Sequence, residues 1–486
     1  MAPLEPSICW QAIYSRDSRF DGRFFAGATT TGLYCRNVCP VPFARPKHIV
    51  LFPCAEAAEA AGFRPCKRCQ AQAARGTPAW LGTSAVVARA LRLILGGALN
   101  EGSVEQLAAR LGLGARQLRR LFVQRLGTSP LKIATAQRVC SAKTLIGKSS
   151  VPMTEIAFSA GFRSIREFNH AIHESTGQSP TELRRKSGAV SGNAGLELHL
   201  PFREPFAWVE LLAFLKARAV LGVEKVSDNT YRRTIELAGS RGTLAVSQIA
   251  SGPRLLVQLD LDRLDNLAQI VERIRRLFDL GADPLRIAAL LSQDPQLRAR
   301  VERRPGLRVP GVWDGFEAAV LAALGQRLTA PGSRKLVAAF VKLFGIPIET
   351  SITGLAYLFP RAEALLDADL AKAGMSDAQA TTLRELARRA ASKQLNFGGA
   401  KTLEETVAQI RLAGGFDEST ANYIAMRAAG EPDAFPADEL RPGAAAETWR
   451  PWRAYAAMHL ATGKPRLDGY YAQRRRKARP PSAPSS

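Results

Sequence analysis

Apolar residues recur three and four positions apart over long stretches of this chain and alternate singly over only a few. The helical period holds from about 84 to 186 and again, almost throughout, from about 262 to 465. Between them LELHLPF, YRRTIEL, GTLAVSQIA and PRLLVQLDL are short β-rich runs set around one amphipathic helix in FAWVELLAFLKARAV. Residues 7 to about 78 have few helix patterns and hold most of the cysteines. The passage ARGTPAWLGTS leads into the first helical region, and SGAVSGNAG (187–195) is the clearest linker, being short, small and uncharged. The end, RRRKARPPSAPSS, is basic and then Pro/Ser-rich, a composition that predicts disorder.

The first helical region repeats itself. SVEQLAARLGLGARQLRRLFVQRLGTSP (103–130) and PMTEIAFSAGFRSIREFNHAIHESTGQSP (152–180) align at an offset of about fifty residues, pairing Leu107 with Ile156, Ala108 with Ala157, Gly112 with Gly161 and Pro130 with Pro180. Each copy reads as a helix, a glycine-containing turn and a second helix, the helix-turn-helix plan. Leu118, Leu121 and Phe122 should pack inward, leaving Arg116, Gln117 and Arg120 outside; in the second copy Phe168 and Ile172 pack inward and Arg163, Arg166 and Asn169 stay out. Arg, Asn and Gln suit bidentate reading of base edges in a major groove, although each could equally be a phosphate contact or part of a solvated face. As a region, 84–186 resembles the AraC-type DNA-binding domain, including the GxSP ends at Gly127–Pro130 and Gly177–Pro180.

Composition narrows the partner. The 486 residues carry 67 Lys+Arg against 43 Asp+Glu, a formal charge of +24 and a pI near 10.3. Such an excess favours a polyanion, because each neutralised phosphate releases a counterion. An anionic membrane would also attract it, but no basic amphipathic helix stands out, so nucleic acid is the expected partner and membrane is not. The start, MAPLEPSICW, lacks a basic stretch followed by an apolar run, and no stretch of about twenty residues is free of charge. A reducing bacterial cytoplasm, in association with the nucleoid, is the expected location.

Six of the seven cysteines lie in the first 69 residues. Cys35 and Cys39 are separated by three residues, Cys66 and Cys69 by two, and 26 residues lie between the pairs. That spacing suits a tetrahedral four-thiolate zinc frame, and a module this small needs such a staple. Cys9 and Cys54 lack a close partner and read as buried thiols. Spacing alone favours a purely structural zinc. The flanks change that: RFDGRFFAGATTTGLYCRNVCP with AAGFRPCKRCQ resembles the N-terminal domain of the Ada alkylation-response proteins over about seventy residues. The resemblance implies that Cys35 accepts a methyl group from a methylphosphotriester of the DNA backbone, with Cys39, Cys66 and Cys69 as its fellow ligands. It also makes Thr31, Arg45 and Arg64 candidate phosphate contacts. Four thiolates on one Zn(II) sum to a net −2 and methylation leaves −1, so DNA binding should strengthen after transfer. Nothing regenerates the thiolate, which makes the event stoichiometric.

Residues 196 to about 462 resemble AlkA, the 3-methyladenine DNA glycosylase of the helix-hairpin-helix superfamily. LPFREPFAWVELLAFLKARAVLGVEKV, RPGLRVPGVWDGFEAAVLAALGQ, TANYIAMRAAGEPDAFP and WRPWRAYAAMHL carry the likeness. It implies base flipping and glycosidic cleavage, with Tyr423 and Trp452 as aromatic walls, Gln326 and Arg327 at the wedge that enters the DNA, and Gly415 in the phosphate-gripping hairpin. The pattern departs at critical places. Where the family usually reads FPxxDLGLRR this chain reads FPADELRPG, so Glu439 takes the catalytic position and Asp438 falls one residue early. A carboxylate one bond further out can cost on the order of a hundredfold. Pro442 and Gly443 follow where a helix is expected, Pro331 interrupts the region after GQ, and the hairpin reads GGFDESTA, with Asp417 and Glu418 where a phosphate should dock. No PCHR motif of a second methyltransferase domain occurs, and Pro65–Arg68 reads PCKR inside the zinc frame.

The expected architecture is multidomain and mainly α: a small four-cysteine zinc α+β domain (7–78), an all-α double helix-turn-helix domain (84–186), an AlkA-type α+β domain (195–280), an all-α helix-hairpin-helix glycosylase-like domain (281–465) and a basic tail (466–486). The expected function joins methyl acceptance on zinc-bound Cys35, promoter binding and 3-methyladenine excision, with double-stranded DNA and RNA polymerase as partners, one Zn(II), and no cofactor in the glycosylase half. Two rivals stand beside it: a regulator whose glycosylase fold only binds DNA, and an enzyme that uses zinc and helix-turn-helix for nonspecific grip.

Overall fold

The computed structural model describes residues 6–16, 20, 24–69, 71, 85–100, 102–148, 151–187, 196–250, 252–264, 266–325, 330–392, 394, 395, 397, 402–436 and 443–461. At the front, a four-stranded sheet runs in the order Ile49–Phe52, Phe25–Ala28, Leu33–Arg36, Arg64–Pro65, with only the last pair parallel. Its core is small, built on Phe25, Tyr34, Ala55 and Ala58 together with the buried cysteines.

The repeat folds as two copies of one plan. Helices Val104–Arg110 and Ala115–Leu126 form the first, Met153–Ser159 and Ile165–Thr176 the second. Leu107, Ala108, Ile156 and Ala157 are all buried at matching places. Both second helices stop at a glycine in the left-handed region, Gly127 at φ +68° and Gly177 at φ +67°. There the chain turns and restarts at Pro130 and Pro180, which open the next helices at positions where a proline's missing N–H costs no bond. The connecting helix Pro130–Lys148 is thereby 19 residues long, about 28 Å at 1.5 Å per residue.

The C-terminal half begins with a five-stranded antiparallel sheet ordered Leu196–Pro201, Arg254–Leu261, Ser240–Gln248, Thr230–Leu237, Glu224–Ser227. Leu196, Leu198 and Leu200 point into its core while Glu197 and His199 face out, the alternation of a half-covered strand. Helix Leu267–Leu277 covers it with Leu267, Ile270, Ile274 and Leu277, and one apolar cluster runs on from this sheet into the second helix-turn-helix copy. The two halves therefore share a buried surface.

Helices then dominate: Pro284–Leu291, Pro295–Arg303, Gly315–Gly325, Ala330–Phe344, Asp377–Ala391, Leu403–Gly414, Glu418–Ala428 and Arg453–Ala461 pack around Phe340, Leu383, Leu386 and Ile424. Pro331 falls in the first turn of helix Ala330–Phe344, where a proline is tolerated, after the preceding helix has ended at Gly325. One reading of the sequence needs correction here. The nearly unbroken helical pattern hides a two-stranded ribbon, Ile346–Pro347 with Tyr357–Leu358. Its backbone partners are distant: Tyr357 O accepts from Thr234 Oγ1 (2.6 Å) and Ala356 N donates to Gly222 O (2.9 Å). No local period marks a ribbon fixed that way. None of the helices among the described residues is long and apolar enough to cross a membrane.

Arg233, on a central strand, donates to Glu317 Oε2 on helix Gly315–Gly325 at 2.9 Å with both side chains almost fully buried. Arg233→Met leaves Glu317 buried without its cation and should destabilise this half by about 3–5 kcal/mol, whereas Arg233→Met with Glu317→Leu recovers most of it. Thermal unfolding of the two variants measures this, and equal losses in both would remove the pair as the cause.

Candidate metal centre and DNA-facing sites

Strand pairing assembles the cysteines. Cys35 lies on Leu33–Arg36, opposite Ala26, and the chain turns at once so that Cys39 N donates to Arg36 O (3.0 Å). The parallel pairing of Arg64–Pro65 with the same strand, continued by Cys66 N to Tyr34 O (3.0 Å), brings in the second pair. Arg36 Nη1 fixes Cys69 O at 3.1 Å. The four Sγ atoms lie within 4.8 Å of one another. Four sulfurs this close cannot all ionise unaided. Hydrogen bonding to Cys39 and Cys69, reinforced by burial, holds the Cys35 thiol far above its ordinary range, while bonds from Cys35 and Cys69 lower Cys39 to about 2. A divalent cation resolves that conflict, and an all-thiolate set of this size suits tetrahedral zinc.

The ligands are not equivalent. Cys39, Cys66 and Cys69 are buried, whereas Cys35 is only half-buried; Cys35 and Cys66 both border a cleft. Thr31, Arg64, Lys67 and Arg68 wall the cleft on the module's side, and Lys132 and Lys143 on the connecting helix face them. Arg64 Nη2 reaches Thr31 O at 3.5 Å, so those two candidates are neighbours. Arg45 is exposed ahead of the turn Pro46–His48, outside the cleft lining. Cys9 and Cys54 are buried away from the cluster, and the Cys54 sulfur accepts from Ala57 N as a helix cap.

On the two second helices Leu118, Phe122, Phe168 and Ile172 are buried and Leu121 partly so, while Arg116, Gln117, Arg120, Arg166 and Asn169 are exposed. Arg163 is exposed as well but tethered: its Nε and Nη2 donate to Asn100 O and Gly102 O, both at 3.1 Å. It ties the second copy to the turn just ahead of the first.

In the glycosylase-like half, helices Leu403–Gly414 and Glu418–Ala428 form a hairpin whose turn is Gly415 at φ +62°. A Cβ on Gly414 would lie 2.2 Å from the Phe416 ring, which folds back over it and is buried. Asp417 caps the second helix, its Oδ1 accepting from Thr420 N at 2.7 Å, so the acid at the turn has a local structural job. Tyr423 and Trp452 are both buried in the helical core; the Tyr423 hydroxyl accepts from Arg427 Nη1 (2.9 Å) and the Trp452 ring packs edge-on against Tyr455. Backbone contacts bring both to one segment. Asn422 Oδ1 accepts from Phe435 N (3.3 Å), and Ala454 N donates to Pro432 O (2.9 Å). That segment leads into Asp438 and Glu439, which, like Gln326 and Arg327, lie outside the described residues.

Sequence reasoning missed Lys132 and Lys143 on the cleft, and also Arg89 and Arg92, which reach Glu431 from the first helix of the DNA-reading domain. Two arginines three apart within the apolar helix AVVARALRLIL were the available signal, since a cation on a buried face requires an anion.

Comparison with known proteins follows the same division. Residues 8–72 match the metal binding domain of Ada, 107–186 a helix-turn-helix domain, and 197–314 the AlkA N-terminal domain. The chain is 31% identical over 274 residues to DNA-3-methyladenine glycosylase 2 of Escherichia coli, covering 54% of this chain and 95% of that protein. It is 30% identical over 175 residues to the bifunctional transcriptional activator/DNA repair enzyme Ada of the same organism, covering 36% of this chain and 48% of that one. One relative spans both parts: the probable bifunctional transcriptional activator/DNA repair enzyme AlkA of Mycobacterium tuberculosis is 39% identical over 477 residues, 93% of this chain and 95% of its own length. With metal module, DNA reader and glycosylase-like half matched in one alignment, the chain belongs to this family of bifunctional transcriptional activator/DNA repair AlkA proteins.

Proposed function

We propose that this chain senses alkylated DNA through Cys35, responds as a transcriptional regulator, and removes alkylated bases with its C-terminal half. One observation carries the first part: Cys35 is the half-open member of four clustered thiols, and it borders, with the buried Cys66, a cleft whose cations Arg64, Lys67, Arg68, Lys132, Lys143 and Arg254 outnumber its acids Glu59 and Glu174. A cleft with that lining attracts a phosphate backbone. Bound Zn(II) supplies the charge that keeps the Cys35 sulfur a thiolate at neutral pH. The Cys35 Sγ attacks the methyl carbon of a methylphosphotriester. The S–C bond forms as the C–O bond breaks, and the electron pair leaves on oxygen, restoring the phosphodiester anion. No proton moves. The module loses one negative charge and approaches DNA more easily. Thr31 and Arg45 then assist Arg64 on the backbone, Arg116, Gln117, Arg120, Arg166 and Asn169 meet the grooves, and RNA polymerase is the partner that reads the outcome.

For the C-terminal half, Tyr423 and Trp452 stack an extruded electron-poor base and a carboxylate, Glu439 or its neighbour Asp438, stabilises the developing oxocarbenium. Gln326 and Arg327 fill the gap left in the duplex, and the Gly415 turn grips a phosphate. A second reading has one specific support. Asp417 and Glu418 place two acids at the hairpin turn, which disfavours phosphate there and fits a half that binds DNA without excising bases.

Two measurements test these readings. With the zinc-loaded chain and DNA carrying methylphosphotriesters, mass spectrometry should find one methyl per chain on the peptide holding Cys35, and promoter affinity should rise afterwards. Methyl uptake elsewhere, or unchanged affinity, would remove the switch. With methylated duplex DNA, the purified chain should release 3-methyladenine, and Glu439→Gln should slow release by on the order of a hundredfold while Asp438→Asn leaves most of it. The reverse ranking would move the role to Asp438, and no release at all, with methyl uptake intact, would leave the regulator reading.

A further inference from the structure

The contact between Arg89, Arg92 and Glu431 joins residues more than three hundred positions apart, from the DNA reader to the glycosylase-like half. Arg89 donates Nε to Glu431 Oε1 at 3.0 Å and Nη2 to Oε2 at 3.1 Å, a bidentate fork, and Arg92 Nη2 adds a third bond to Oε1 at 3.2 Å. Arg89 and Glu431 are 4% and 6% exposed, so neither charge has water as an alternative partner. The helix that carries the arginines, Ala85–Leu95, is seated by the buried Val87, Ala90, Leu91 and Ile94 of its own domain.

Glu431 opens a short segment held at three further places. Asp433 receives Arg453 Nε (2.8 Å) and Nη2 (3.1 Å) and Arg450 Nη1 (2.9 Å); Pro432 O accepts from Ala454 N; and Phe435 N reaches Asn422 Oδ1. Those other anchors lie on helix Glu418–Ala428, which carries Tyr423, and on residues 450–454 around Trp452, and among the described residues the Glu431 anchor is the one that comes from outside the glycosylase-like half. The segment then enters FPADE, where the candidate carboxylates stand.

We propose that Arg89, Arg92 and Glu431 are positioning residues for base excision, so that the first helix of the DNA reader forms part of the support of the excision centre. This rests on the excision activity proposed above. Alignment at a reacting centre is sensitive to shifts of about 1 Å, and the segment that ties the surroundings of Tyr423 to those of Trp452 is fixed at one end by another domain. Excision in this chain is then a property of the docked two-domain unit.

Hydrogen exchange of the full-length chain, read on peptides spanning 430–436, is the direct test, combined with single-turnover release of base from a methylated duplex. Arg89→Gln and Glu431→Gln should each strip protection from that segment, leave the zinc module's protection and duplex affinity unchanged, and slow release by on the order of a hundredfold. Arg89→Lys, which keeps the charge but loses the fork, should fall between them and the wild type. Protection retained in both glutamine variants would overturn the proposal, as would lost protection with undiminished release. If Arg89→Gln opens the reader itself, Glu431→Gln and Arg89→Lys carry the comparison. If the wild type releases no base, the excision reading falls by itself, and the exchange result still decides whether this clamp holds the segment.

Discussion

A guanidinium taken out of water must find an anion or a carbonyl, and this structure is joined wherever that demand is met. Arg233 with Glu317 ties the five-stranded sheet to the helices beyond it, Arg203, just after the sheet's first strand, meets Asp283 at the start of helix Pro284–Leu291, and Arg89 with Glu431 docks the DNA reader. Each pair is almost wholly buried. In such a place two charges gain little over a well-packed apolar pair, but either one alone is severely unfavourable. The pairs therefore act less as glue than as a requirement on register, because only the observed docking satisfies them.

The same chemistry divides a large basic excess into two populations. Buried Arg89, Arg203 and Arg233 meet internal carboxylates, and buried Arg308 meets backbone carbonyls. Exposed Arg116, Arg120 and Arg166 on the second helices of the repeat, with Arg64, Lys67 and Arg68 on the cleft beside Cys35, are the cations we propose for a polyanion. Arg163 shows how fine the division is, since it is exposed yet directs its donors to the backbone of Asn100 and Gly102, just ahead of the first copy. Side-chain type does not separate these roles. Partner geometry does.

At the metal centre the governing constraint is electrostatic as well. Four thiols within 4.8 Å of one another compete for protons, and Cys35 is the most exposed of them. A divalent cation relieves that competition without covering the open side of Cys35. A thiolate held by a metal and open on one side is the combination a reactive site needs beyond a structural knuckle of the same spacing.

Much of this was legible in the sequence by itself. Helical period and turn glycines marked the doubled helix-turn-helix, because each copy buries its own apolar stripe and local pattern decides which residues those are. Cysteine spacing with its flanks marked the metal frame, and the β-rich runs marked the sheet. Tertiary structure decided the rest. It made Asp417 a helix cap, made Pro331 a first-turn residue, and formed the ribbon at Ile346–Pro347 from contacts with a sheet a hundred residues away. It also decided which arginines stay exposed and which meet carboxylates. Those outcomes depend on groups distant in the chain meeting in low-dielectric surroundings, and no local period encodes where the second group will be.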